Sequence, residues 1–413
     1  MSPAAGGGDD AGTSSAPGGF GLTSSGLTGS GLAEAVRPLL GRIAAQGPEM
    51  DAAGRLPAGL ATELARAGVF RATVPTSLGG LETPLPELVS VIEEVGRAHG
   101  STGWCVMIGA TTALLSGYLP EASAREVYGS DPEVITGGAY APTGRATVLG
   151  DGDLSVTGRW EWGSGSANCS WLLGGALLVD GDGAHVTDEL GLPQMRLCFA
   201  PADQVEVVEN WDVLGMRGTG SHDLVMQEVR VPAERAVSFF DDPWPEGPLW
   251  RFPPFGMLAL GVAAVSLGVA RSAMDAFVEL ASTKRPAAGG RTLGQKTPVR
   301  GEVARCEAQL RAAAALYHGE VGAAWDTACA GGEVDLARRA GMRLAATHAA
   351  TVAADVCVRL HRLGGGTSVR HGQVLERTVR DALTATQHMM VGPQLFESVG
   401  AVLFGDEPGF AEL

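Results

Sequence analysis

Apolar residues recur at helical spacing through the first third of the chain. Leu39, Ile43 and Ala44, then Leu60, Leu64, Val69 and Phe70, predict helices starting at about Leu32 and continuing to Tyr128. Pro75–Gly80 and Thr83-Pro84 read as loops. Leu85–His99 resumes the helical pattern, and Ser101-Thr102 is the expected cap of a further helix over Gly103–Leu119. Near Pro132 the texture changes. Short alternating runs at Val134–Thr136, Leu154–Trp160, Trp171–Leu178, Arg196–Pro201, Val205–Val208 and Leu224–Val231 are separated by Gly, Asp and Pro, and predict an antiparallel sandwich or barrel. A Pro/Trp-rich link, Asp241–Pro254, leads into long Ala/Leu/Arg stretches at Met257–Ser282, Val299–Ala330, Leu336–Leu363 and Leu375–Leu403, which predict a four-helix bundle.

The expected class is therefore α+β, in the order helical, β, helical. These patterns divide the chain into a tail over 1–32, a helical domain over 33–131, a β domain over 132–240 and a helical bundle over 241–413. The tail holds ten Gly and six Ser with almost nothing to bury, so disorder is expected there. No internal repeat stands out.

Composition narrows the possibilities. At 413 residues and 45% hydrophobic, the chain can bury a large core. Its 46 acidic against 30 basic residues give a net charge of −16, which argues against nucleic-acid binding because phosphate neutralisation needs a basic face. Six scattered cysteines without a C-x-x-C pair read as reduced, buried thiols and place the protein in the cytoplasm. Asp9 and Asp10, with no early Lys or Arg, fit neither a signal nor a transit peptide. The longest apolar run, the 14 residues Met257–Ala270, is too short to span a bilayer and suits a buried helix.

Missing motifs exclude further classes. No G-x-G-x-x-G follows a strand, and no phosphate-cradling G-x-x-x-x-G-K-[ST] occurs. There is no H-E-x-x-H, no Cys/His ligand spacing and no E-x-x-H repeat, so no metal site is expected. No Ser stands in G-x-S-x-G. An enzyme with this sequence would use a cofactor that needs none of these.

The helical–β–helical order, the segment Trp211-Asp-Val-Leu-Gly-Met-Arg-Gly-Thr-Gly-Ser221 and the stretch Arg377–His388 together resemble the acyl-CoA dehydrogenase superfamily over about residues 33–405. Within it the chain is similar to the class D flavin-dependent monooxygenases, the oxygenase halves of two-component systems. Dehydrogenases often carry a Glu base eight residues after the acid that Asp381 represents; here Met389 stands at that position, and a thioether cannot take a proton. The Gln387-His388 pair matches the monooxygenase pattern, in which a His on this helix lies over the flavin.

The resemblance implies a set of site residues. His388 would be the general acid/base, deprotonating an aromatic hydroxyl or stabilising the departing flavin oxygen. In Gly158-Arg-Trp-Glu-Trp-Gly-Ser164, Trp162 would lie near the isoalloxazine and Ser164 would face flavin N5. Trp104 would start the helix walling the substrate pocket. Ala141 and Thr143, in the first β segment Thr136–Thr143, would bring backbone to the pyrimidine edge. Arg285 would reach the flavin phosphate and Gly365 and Gly366 would approach the cofactor, both across a subunit boundary. Each residue has an ordinary alternative: Trp162 and Trp104 as core aromatics, Ser164 as a turn serine, Arg285 as an exposed loop arginine, the glycines as a helix C-cap. Arg217 and Asp381 read as structural.

The implied cofactor is reduced FMN or FAD, with FMNH2 favoured. It would be supplied by a separate flavin reductase and would react with O2 to give a C4a-hydroperoxyflavin that hydroxylates a small aromatic or polycyclic molecule. A homotetramer is expected, with no nucleic-acid or membrane partner. Ile108–Thr112 lacks the second His of several phenol hydroxylases, which leaves N-, S- or other C-hydroxylation open. An acyl-CoA dehydrogenase using Glu376 or Glu397 remains an alternative, and a non-catalytic scaffold a weaker one.

Overall fold

The computed structural model describes residues 30–286, 289–406 and 408; the expectation of a disordered tail falls on residues outside these, apart from its last three. Those three are anchored: the Ser30 N–H donates to the Glu87 carboxylate at 2.7 Å, and Leu32 is buried.

Six helices come first: α1 Leu32–Val36, α2 Leu40–Ala53, α3 Ala58–Arg66, α4 Leu85–Ala98, α5 Gly100–Ala113 and α6 Glu121–Tyr128. In α4, Leu85, Leu88, Val89, Val91, Ile92 and Val95 form the buried stripe. The chain turns at His99, in extended conformation, whose ring accepts from Thr102 N–H and caps α5. The expected cap residues Ser101 and Thr102 instead lie inside the first turn, both buried. The two helices meet closely enough that a Cβ at Gly103 would fall 2.6 Å from Gly96 Cα, so only glycine fits that crossing.

Seven strands follow: β1 Thr136–Val148, β2 Leu154–Gly163, β3 Trp171–Val179, β4 Met195–Pro201, β5 Glu206–Val208, β6 His222–Val231 and β7 Ala236–Val237. They form one sheet in the order β5-β6-β2-β1-β3-β4-β7. The sheet is mixed, not antiparallel throughout, because β1 and β3 run parallel. Their pairing slips between Ala139 and Gly144, which frees residues 140–143 from the β3 ladder. One face carries its own core around Trp160, Leu172, Cys198, Leu224 and Met226. Trp160 fits there because three facing residues are glycine: a Cβ at Gly144, Gly158 or Gly174 would fall under 3 Å from its ring.

The C-terminal part holds α7 Pro248–Arg251, α8 Pro254–Thr283, α9 Thr297–Cys329, α10 Leu336–Gly364, α11 Val374–Ala385 and α12 Leu395–Leu403. Helix α8 is long and apolar enough to cross a membrane, but 89% of its most apolar window is buried inside the protein, as in a central core helix. The last expected helix, Leu375–Leu403, is instead broken into α11 and α12, with a 3-10 turn at Met389–Val391 between them. His388 takes an extended conformation there, and Gly392-Pro393 follows. Of the six free cysteines, Cys105, Cys198, Cys306 and Cys357 are buried, whereas Cys329 is exposed, contrary to expectation.

Candidate active site

Helix α5 carries the centre of the site. Trp104, Ile108 and Thr112 are spaced four residues apart and share one face. Every other residue of α5 is buried, and Ile108 is the exception, so this face lacks full protein cover. At one end the Trp104 indole N–H donates to Ser164 Oγ at 3.2 Å, and its ring meets His388 edge-on with centroids 5.5 Å apart. At the other end the Tyr140 hydroxyl lies 3.2 Å from Thr112 Oγ1, and Tyr140 packs against Phe239, which in turn packs against Phe255. The result is an aromatic wall.

Ser164 sits in a directed chain of hydroxyls. Thr219 Oγ1 donates its single hydrogen to the Met216 carbonyl at 2.8 Å, so it must accept from Ser221 Oγ at 2.6 Å. Ser221 must then accept from Ser164 Oγ at 2.7 Å. Ser164 therefore gives away its own proton, receives one from Trp104, and keeps one lone pair to accept a hydrogen bond. All three hydroxyls are buried. Thr219 and Ser221 belong to the Arg-Gly-Thr-Gly-Ser motif, which in the sequence alone marks only the fold.

His388 Nδ1 accepts from Met390 N–H at 3.2 Å, so in the neutral ring the proton resides on Nε2. Burial, helped by the nearby Arg343 guanidinium, pulls its pKa from 6.5 down to about 4. At neutral pH His388 is thus a neutral Nε2–H donor, held at the helix break and not on a helix face as expected.

The residues assigned to the cofactor divide into two groups. Trp162, 67% exposed with φ 67°, lies two residues before Ser164, whose N–H donates to the Trp162 carbonyl. Ala141 and Thr143 lie in the exposed part of the β1 bulge, tied to β2 where Thr143 Oγ1 donates to the Arg159 carbonyl. An exposed indole in a strained backbone conformation, a strand segment released from its ladder and a buried acceptor at Ser164 fit a flat, amide-edged ring such as flavin. Arg285, Gly365 and Gly366 are elsewhere. Lys284 Nζ donates to the Gly364 carbonyl and Thr367 Oγ1, gathering this group beyond the C-terminal end of α8. The thirty residues of α8 span roughly 45 Å from the Phe255 end. Within one protomer this group does not join Ser164 and His388. Arg285 is exposed, with its guanidinium on the Gly290 carbonyl, and Gly365 is the C-cap of α10.

The two candidate dehydrogenase bases are out of place. Glu376 is locked against Arg380 at 2.6 and 2.9 Å with His371 at 3.2 Å, and Glu397 is exposed on α12. Met389 is 68% exposed.

Comparison with known proteins agrees with this geometry. Residues 32–125 match the acyl-CoA dehydrogenase N-terminal domain and residues 260–393 the acyl-CoA dehydrogenase C-terminal domain. Indole-3-acetate monooxygenase of Pseudomonas putida is 33% identical, over 83% of this chain and 85% of its own. The chain belongs to the flavin-dependent monooxygenases of the acyl-CoA dehydrogenase superfamily. The oxygenase subunit HsaA of a flavin-dependent monooxygenase from Rhodococcus jostii is 27% identical over 86% of this chain and 93% of its own. XiaF from a Streptomyces species, solved with FADH2 and glycerol, superposes with a TM-score of 0.83 at 25% identity, covering 91% of this chain and 96% of that one. This flavin-dependent monooxygenase is therefore an oxidoreductase, and the HsaA relative is named as the oxygenase subunit of its system.

Proposed function

We propose that the protein hydroxylates a small aromatic molecule seated on the Trp104–Ile108–Thr112 face, next to a reduced flavin resting on Trp162 and the 141–143 bulge. When bound, the flavin supplies the chemistry that activates O2. The chain's own residues do the rest. Ser164 would offer its remaining lone pair to an N–H of the reduced ring, Trp104 holds Ser164 and His388 at fixed separation, and the Nε2–H of His388 would donate to a substrate oxygen. The buried surroundings exclude water from these groups. The observation that carries this reading is the directed hydroxyl chain, which leaves one acceptor at Ser164 across Trp104 from a neutral histidine donor.

The resemblance favours FMNH2 over FADH2, and we propose a cytoplasmic homotetramer in which Arg285 and Gly365-Gly366 serve a neighbour's cofactor. Free cysteines suit a reducing compartment. Indole-3-acetate, the substrate named for the Pseudomonas relative, gives the first compound to try.

The test is to mix the protein with anaerobically reduced FMN or FAD and then with oxygen. A protein-dependent transient in the flavin absorbance, and hydroxylated product when an indole is present, is expected. Oxidation at the rate of free flavin would overturn the proposal, and bleaching of protein-bound oxidised flavin by an acyl-CoA would favour a dehydrogenase.

A further inference from the structure

Arg343 is the most deeply buried arginine described, 1% exposed near the start of α10, and it has no carboxylate partner among the described residues. Its hydrogen bonds to described residues are weak ones from Nη1, to the Met390 carbonyl at 3.4 Å and the Met390 thioether at 3.1 Å. Nε has no partner among the described residues. One turn along the same helix face, the fully buried Thr347 hydroxyl is also unpartnered. Burial lowers the guanidinium pKa to about 10, so it remains charged at neutral pH. A buried cation without a counter-ion is strongly unfavourable, so an anion brought within reach of Arg343 would be stabilised there.

The surroundings say which anion. Met390 belongs to the turn that His388 caps, so Arg343 and His388 flank the same few residues, close enough for the guanidinium to depress the imidazole. The neighbouring Met342 reaches the other wall: a Cβ at Gly256 would lie 3.2 Å from its methyl, and Phe255 is the preceding residue. Arg343 thus packs against the turn that follows His388, whereas the surfaces assigned to the flavin are on β1 and β2.

We infer that Arg343 is a substrate-recognition residue that binds a carboxylate carried by the aromatic substrate, with Thr347 as a second donor. This rests on the aromatic-substrate reading above. A planar guanidinium takes a carboxylate through two parallel hydrogen bonds, and its unused donors suit that geometry. The enzyme would select aromatic acids over their neutral counterparts.

The experiment compares dissociation constants of indole-3-acetate and indole-3-acetamide, which share a ring and differ in charge. Wild type should prefer the acid by roughly 10- to 150-fold, the range expected for a charge-assisted hydrogen-bonded contact. Arg343→Met should abolish the preference while leaving amide binding and reduced-flavin binding unchanged, and Arg343→Lys should restore part of it. Equal binding of acid and amide by wild type overturns the inference, even if Arg343→Met fails to fold. So does a variant that keeps the preference, or one whose main loss is in flavin affinity. These readouts use ligand binding alone, so they separate from the oxygen-dependent absorbance that tests the underlying function.

Discussion

Asp381 Oδ1 accepts a 2.6 Å hydrogen bond from the main-chain N–H of Met216, joining α11 to the segment on which the hydroxyl chain ends. The contact is tight: a Cβ at Gly215 would lie 2.2 Å from the Arg380 carbonyl oxygen. Met216 itself has φ 54°, an uncommon conformation for a side-chain-bearing residue, and its carbonyl receives both Thr219 Oγ1 and Trp211 Nε1. Asp381 is thus a positioning residue for Ser164, acting through Met216, Thr219 and Ser221. Removing it as Asp381→Ala should cost about 1–3 kcal/mol of stability, whereas Asp381→Asn, which keeps the Oδ1 acceptor, should cost less. Thermal denaturation of the two variants checks this; equal melting temperatures for Ala and wild type would refute it.

Ser164→Ala should fold normally but lose the acceptor proposed for the flavin N5–H. The expected result is faster unproductive oxidation of reduced flavin and more hydrogen peroxide per turnover. Stopped-flow absorbance with a peroxide assay measures both, and an unchanged peroxide yield would remove Ser164 from the site.

His388→Ala should retain flavin binding and lower product formation by about 10²–10⁴-fold, the usual contribution of a positioned proton donor or acceptor. His388→Gln, which keeps an N–H donor, should recover part of the rate. Normal hydroxylation by the alanine variant would return His388 to a purely structural role.

The pH response follows from the depressed pKa. An unfolded chain protonates this histidine at about pH 6.5 and the folded one at about 4, so folding loses stability from this residue as pH falls through that window. His388→Gln should flatten that part of the stability curve. In an NMR titration of the wild-type imidazole the midpoint should lie near 4, and Arg343→Met should raise it towards 6.5 without reaching it, since burial is the larger cause.

Two tryptophans two residues apart should behave oppositely. Trp160→Ala empties the glycine-lined slot and should cost about 3–5 kcal/mol. Trp162→Ala removes an exposed ring, so stability should change by no more than about 0.5 kcal/mol, while reduced-flavin affinity falls several-fold through lost stacking, worth about 1 kcal/mol. Calorimetry and flavin titration of both variants give the comparison, and flavin affinity unaffected by Trp162→Ala would contradict the placement of the ring.

The sequence made the element order readable, for identifiable reasons. Strand positions were visible because each run is bounded by Gly, Asp or Pro, but pairing direction was not: nothing local in Thr136–Val148 announces that it runs parallel to Trp171–Val179. The apolar spacing of 375–403 continued across the break at His388, since Met389, Met390 and Val391 suit a helix as well as the turn they form. Ser164, Trp104 and His388 were named one by one, yet their junction through the Trp104 ring is a tertiary fact. Arg343 did leave a trace. It stands in line with Ala346 and Ala350 on a stripe that the alanines mark as buried, where a guanidinium is out of place.

The hydroxyl chain running from Trp104 to the Met216 carbonyl has a consequence for regulation by acidity. It is built from an indole, three alcohols and a peptide group, and none of these gains or loses a proton in the range where enzymes work. The electrical character of Ser164 is therefore the same in acid and in alkali, insulated from the medium by composition as much as by burial. Sensitivity to the proton concentration enters instead through the ionisable groups at the two ends of the chain of hydroxyls: the imidazole across Trp104 and the Asp381 carboxylate, whose pKa burial raises.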